Sequence, residues 1–240
     1  MTTLALSALR RVRTRRAEVL LGTATVALFA FYYVARADLV GSRGIDPAGV
    51  WLVVSAPARS PLLHFLAAAL LLGALPVGIA RYVCALSPHE LGLGFGDVGA
   101  GLRWLAIGLP GAVLAGWIAA GSPAMQAVYP LDPAVIASPA SFVPHALRNG
   151  LYFGAWEVLF RGVLLFGLRG VIGAGGANTG QTGLSVLAHF GRPMTETFAA
   201  IPGGFLFGWI SLSTGSIWYV ALIHWTVGTS MDWFILVGAG

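Results

Sequence analysis

Residues 156–165 read WEVLFRGVLL, a glutamate and an arginine set inside one of the most apolar parts of the chain. An ionised side chain at the centre of a bilayer costs about 2.5–3.5 kcal/mol even on the most lenient scale, so such residues face a protein interior and serve a purpose there. Glu157 and Arg161 are four apart, which places them on one helix face with the acid N-terminal to the base, the favourable order for an ion pair. Taken alone, the pair reads equally well as a structural clamp between helices.

The surroundings of this stretch set the class. The chain has 240 residues, 57% of them hydrophobic and 10% charged, with a mean hydropathy of +0.82, whereas soluble chains carry about 25% charged residues. Its apolar content falls in blocks of about 20 residues, the length needed to cross a bilayer as a helix. The expected fold is all-α, a polytopic bundle of about seven transmembrane helices over residues 17–36, 61–85, 102–120, 143–168, 178–190, 197–213 and 215–237. Residues 1–140 read as scaffold and 141–240 as a core holding the polar site, because buried ionisable groups concentrate after residue 140.

All 14 basic residues are arginine, and five of them, Arg10, Arg11, Arg13, Arg15 and Arg16, precede the first apolar block. Next to a membrane span such a cluster fixes that end in the cytoplasm, so no nucleic-acid partner is inferred from the net charge of +5. The arginine-free segment from Gly121 to Ala140 then falls outside, and the expected location is the plasma (inner) membrane. Ala35-Arg36-Ala37 imitates a signal-peptide cleavage site, but the run from Val19 to Val34 is long for that purpose and a retained first helix is expected. The single cysteine, Cys84, allows no internal disulfide and no cysteine metal cluster.

Further polar residues lie in the later spans. His189 ends the short fifth block and is followed by a turn at Gly191-Arg192-Pro193. Pro193 is suited to start a new helix, which brings Glu196 near His189. Glu196 also reads simply as a first-turn acid facing the positive end of the helix dipole. His224 sits in the last span, with Gly228 one turn on, leaving a gap beside the ring, and Asp232 a further turn on, either at the rim or supporting the site from behind. Gly204 and Gly208 form a GxxxG pair for close helix packing. His64, His89 and His145 are read as isolated. Two histidines, two carboxylates and an arginine suffice for water activation and oxyanion stabilisation, and they can also hold zinc, although no HExxH is present.

Glu157-Val-Leu-Phe-Arg161-Gly162, the histidine helix, and Thr214-Gly215-Ser216-Ile217-Trp218 leading into Ile223-His224 together resemble the CAAX-protease and bacteriocin-processing (CPBP, or Abi) family of intramembrane proteases. The resemblance covers roughly residues 140–237. That family's first motif has two adjacent glutamates, and the first of them, the usual water-activating base, is here Trp156. Its last motif has Asn or Asp where this chain has Gly228. The chain is most similar to a divergent branch in which an aromatic residue precedes a single glutamate and a basic-Pro-x-x-Glu element follows the second histidine, matched by Arg192 to Glu196. The resemblance implies that Glu196 takes the role of the missing carboxylate.

The resulting expectation is a metal-independent intramembrane endopeptidase without a cofactor, acting on a membrane-anchored polypeptide substrate. Glu157 and Glu196 are the candidate carboxylates, His189 and His224 the water-holding and oxyanion groups, Arg161 the partner of Glu157, with Arg192 and Asp232 behind them. Glu157, His189 and His224 are expected to converge on one polar cavity. The main alternative is a non-catalytic relative that binds or chaperones a membrane partner. A transporter calls for internal repeats and broken helices in matching halves, which the sequence does not show.

Overall fold

The computed structural model describes residues 3–32, 61–132, 134–137 and 139–238. Ala35-Arg36-Ala37, the end of the first expected span and the segment Asp38 to Ser60 lie outside the described residues. Among those described, all regular structure is helical: α1 (Thr3–Ala30), α2 (Pro61–Tyr82), α3 (Val98–Ala120), α4 (Phe142–Glu157), α5 (Gly167–Ala188), α6 (Met194–Thr214) and α7 (Trp218–Leu236), with short turns of helix between α3 and α4. A wider π-helical stretch, Val158–Phe166, joins α4 to α5, and another, Ala69–Ala74, lies within α2.

Four helical runs are long and apolar enough to cross a membrane: Pro61–Tyr82, Val98–Ala120, Phe142–Ala188 and Met194–Thr214. The described part of α1 carries the arginine cluster, and α7 interleaves His224, Thr226, Ser230 and Asp232 with its apolar residues, so neither joins that set. Large apolar side chains such as Phe29, Leu70, Ile107, Leu114 and Phe198 point outward from the bundle. An outward apolar surface on this scale is that of a chain solvated by lipid, since soluble monomers expose only small apolar patches.

The run Phe142–Ala188 is not one rod. Residues 156 and 189 would stand about 50 Å apart on a straight helix rising 1.5 Å per residue, yet the rings of Trp156 and His189 lie 5.2 Å apart. The chain therefore doubles back between them. The break is at Gly173, midway along, whose φ of 78° and ψ of 160° interrupt the helical backbone in a region essentially reserved for glycine. The two blocks read from the sequence, 143–168 and 178–190, are thus two legs of a helical hairpin. Their connection is itself mostly helical, so the turn is a single residue where the sequence pattern led us to expect a short linker.

Close approach of helices is arranged with small residues, as expected where lipid gives apolar surfaces no reason to leave it for one another. Gly204 on α6 faces Thr182 of α5, and a Cβ there would lie 2.7 Å from the threonine methyl; Gly208 faces Asn178 one turn further on. Gln181 Nε2 donates to Gly204 O at 3.0 Å and Asn178 Nδ2 to Phe205 O at 3.2 Å, crossing the same seam. On α3, Gly101, Gly108 and Gly116 admit Tyr219, Ile223 and Ser230 of α7.

The start of α7 is held by the connection before α3. Ile217 N donates to Gly92 O at 3.0 Å, Asp97 N to Thr214 O at 2.7 Å, Trp218 Nε1 to Leu93 O at 2.8 Å and Tyr219 OH to Phe95 O at 2.8 Å. Gly215, left-handed with φ 68°, ends α6 as a C-cap glycine does. The Thr214–Trp218 motif is therefore a docking turn as well as a sequence signature.

Candidate active site

α4 and α7 run antiparallel and meet in three rungs. At the first, His224 Nδ1 donates to Glu157 Oε1 at 2.7 Å, and Arg161 Nη1 donates to the same oxygen at 3.1 Å. Glu157 is fully buried and Arg161 almost so, while Oε2 of Glu157 is buried without a hydrogen-bond partner. The Arg161 guanidinium lies over the Phe207 ring, 5.4 Å from its centroid, where the negative face of the ring attracts the cation. Since the carboxylate accepts from Nδ1, it fixes the tautomer of His224 and leaves Nε2 as the other working atom.

The second rung corrects an expectation. A Cβ on Gly228 would run into the ring of Phe153, and that ring lies 4.6 Å from the His224 ring. The glycine leaves no gap beside His224; it makes room for Phe153. At the third rung, Asp232 Oδ2 accepts from His145 Nε2 at 2.7 Å and from Asn149 Nδ2 at 2.9 Å. Asp232 is thus not a rim group: it is buried two turns from His224 and belongs with His145, which sequence reasoning set aside as isolated. Arg148, the residue before Asn149 on α4, pairs with Asp132 at 2.6 Å. Asp132 is buried as well, a polar group from the half of the chain read as plain scaffold.

A second polar group forms where α5 ends and α6 begins. Pro193 occupies the N-cap of α6 and Glu196 its first turn. His189 Nδ1 donates to Ser185 O at 2.6 Å, so its Nε2 faces outward, 3.9 Å from Glu196 Oε1. Both side chains keep some exposure, 14% for His189 and 22% for Glu196. Tyr129 OH lies 3.0 Å from each oxygen of Glu196 and accepts from Arg192 Nη1 at 2.9 Å.

This second group opens on a cavity of about 260 Å³ whose walls include His189, Arg192, Glu196, Trp156 and Tyr152, together with Phe29 of α1 and Tyr32 just after it. Glu157, Arg161 and His224 are not among its lining residues. The hydrogen bonds and ion pairs thus form two groups, Glu157–Arg161–His224 and His189–Glu196, close enough for the charges of His224 and Arg161 to act on His189. Trp156 is next to Glu157 in the chain and edge-on to His189. Among the described residues no three of His, Cys, Asp and Glu gather in a metal-holding arrangement.

The family model for type II CAAX prenyl endopeptidase Rce1-like proteins matches residues 139–229. The similarity is confined to this segment. No curated protein and no solved structure matches the chain. The Rce1-like segment spans 91 of the 240 residues and contains every candidate site residue except Asp232, which lies just beyond it. Tyr129 and the residues of α1 lie before it. Sequence reasoning missed Tyr129, Asn149, Phe153 and His145, and only His145 and Asn149, four apart on one helix, offered a spacing signal.

Proposed function

We propose that the chain is an integral-membrane endopeptidase of Rce1-like type, in which Glu196 and His189 activate a water for attack on a peptide carbonyl. The observation that carries this reading is the 3.9 Å approach of His189 Nε2 to Glu196 Oε1 on the wall of a cavity. A base must reach the water it deprotonates. Glu157 is sealed off and already serves two donors, whereas Glu196 borders open space.

In this reading Glu196 takes the proton of the water and passes it towards the leaving amine, while His189 holds the water through Nε2. Glu157, neutralised by Arg161, orients His224, whose Nε2 supplies a donor to the developing oxyanion when the ring is protonated. The substrate is a membrane-anchored polypeptide, of which a prenylated CAAX protein is one instance. We further propose seven membrane helices with a cytoplasmic N-terminus in the plasma membrane; the chain reversal at Gly173 and the arginine distribution support that count and orientation.

One observation favours the non-catalytic alternative. Trp156 and Phe153 fill space beside His189 and His224 with apolar rings, as in a pocket that binds without reacting. Cleavage of a co-expressed membrane-anchored substrate decides between them. Glu196→Gln should lower the rate by about 10²–10⁴-fold, the usual effect of losing a general base, with folding retained. Normal cleavage by that variant sinks the assignment of Glu196, and no cleavage by the parent chain favours the binding protein.

A further inference from the structure

Tyr129 belongs to the connection between α3 and α4, 67 residues from Glu196 in sequence, and its hydroxyl reaches both oxygens of that carboxylate at 3.0 Å. The Tyr129 hydroxyl oxygen in turn accepts from Arg192 Nη1 at 2.9 Å, and the Arg192 guanidinium lies over the Tyr129 ring, 5.4 Å from its centroid. A phenol has one proton to give and lone pairs to receive. With Arg192 occupying the acceptor side, its proton is directed at Glu196. Burial pushes the Tyr129 phenol well above its ordinary pKa, with Arg192 opposing and Glu196 adding to the effect, so the group remains a neutral donor across the working pH range.

We propose that Tyr129 is a positioning residue of the site: its hydroxyl, braced by Arg192, holds the Glu196 carboxylate ionised and turned towards His189. This rests on the reading of Glu196 as the base. It assigns a role to the stretch between α3 and α4, which lies outside the Rce1-like segment and which the sequence offered only as a loop. Among the described residues, the groups facing Glu196 include Tyr129 from that loop, Arg192 from the turn before α6 and His189 from the end of α5, with Tyr32 just after α1 and Tyr152 of α4 lining the same cavity.

The alternative is a tie that merely fastens the loop to α6. Tyr129→Phe separates the two, since it keeps the ring under the Arg192 guanidinium and removes the hydroxyl with its hydrogen bonds to Glu196 and Arg192. Losing a donor to the charged form raises a carboxyl pKa, by about one unit, or roughly tenfold in the protonation equilibrium. Infrared difference spectra of purified protein against pH report this directly, through the carboxyl band that Glu196→Gln abolishes.

The midpoint of that band should move up in Tyr129→Phe. The acidic limb of the cleavage profile should move up with it, because the base must be deprotonated to act: activity falls about tenfold per unit below the limb and is unchanged above it. Should the phenylalanine variant not fold, 3,5-difluorotyrosine at position 129 provides the second measurement; it strengthens the donor and should move the midpoint down. A midpoint that stays put in the folded variant overturns the positioning role. A midpoint that moves while Glu196→Gln cleaves normally upholds the hold on Glu196 and overturns its assignment as base, so the two failures are distinguishable.

Discussion

Glu157 on α4 and His224 on α7 are joined by a 2.7 Å hydrogen bond between Oε1 and Nδ1, and Arg161 lands on that same oxygen at 3.1 Å. One carboxylate oxygen thus fastens two helices and holds a buried cation. Arg161→Ala leaves Glu157 buried with no fixed positive charge beside it, and removing one partner of a buried pair costs about 3–5 kcal/mol. The thermal midpoint in detergent should drop sharply. An unchanged midpoint would mean that Glu157 is protonated in the folded protein and needs no cation.

Gly228 and Phe153 make a reciprocal test. A side chain at position 228 meets the Phe153 ring at less than contact distance, and overpacking of this kind costs about 1–3 kcal/mol. Gly228→Asn should therefore be destabilising alone and should recover in combination with Phe153→Ala. If the two changes are additive in thermal unfolding, the ring does not occupy the place the structure gives it.

The hairpin turn isolates a backbone effect. A Cβ at Gly173 would meet no neighbouring atom within 4 Å, so Gly173→Ala tests only the φ of 78° and ψ of 160°. Backbone strain in that region costs about 1–3 kcal/mol. Stability should fall by this amount without loss of any packing contact, as read from thermal unfolding of the purified protein. A stabilised variant would instead favour one straight helix through 142–188.

Metal removal tests the glutamate–water reading. His189 Nε2 faces Glu196 and His224 Nδ1 faces Glu157, so the two histidines serve separate carboxylates. Exhaustive chelation should leave the cleavage rate unchanged. Loss of activity that zinc restores would replace water activation by Glu196 with Lewis-acid catalysis.

The membrane class was legible from composition, and the key polar residues announced themselves because ionisable groups are costly within apolar blocks. Glu157 and Arg161 were readable as a pair from their spacing, and His189 and Glu196 from the proline turn between them. What the sequence hid depends on distant contacts. Tyr129 is an aromatic residue in a Pro-rich segment, with nothing local to mark its use 67 residues away. Gly228 looked like a missing functional side chain, yet its meaning lies in Phe153 on another helix. Asp232 was placed near the right helix turn, but its partners His145 and Asn149 could be named only once α4 and α7 were known to run antiparallel. The pairing of His224 with Glu157 and of His189 with Glu196 likewise depends on which helices meet, which spacing along the chain does not give.

The carbonyls of Gly92, Leu93 and Phe95 that receive Ile217, Trp218 and Tyr219 lie well before residue 139. The stretch that carries the family signature is accordingly not a portable module. Excised from its first 138 residues, it would enter the bilayer with the indole and phenol at the head of its last helix stripped of their acceptors, and with no Tyr129 to reach Glu196. In the intact chain the early helices are already synthesised when α7 emerges from the ribosome, so the last helix finds its socket waiting.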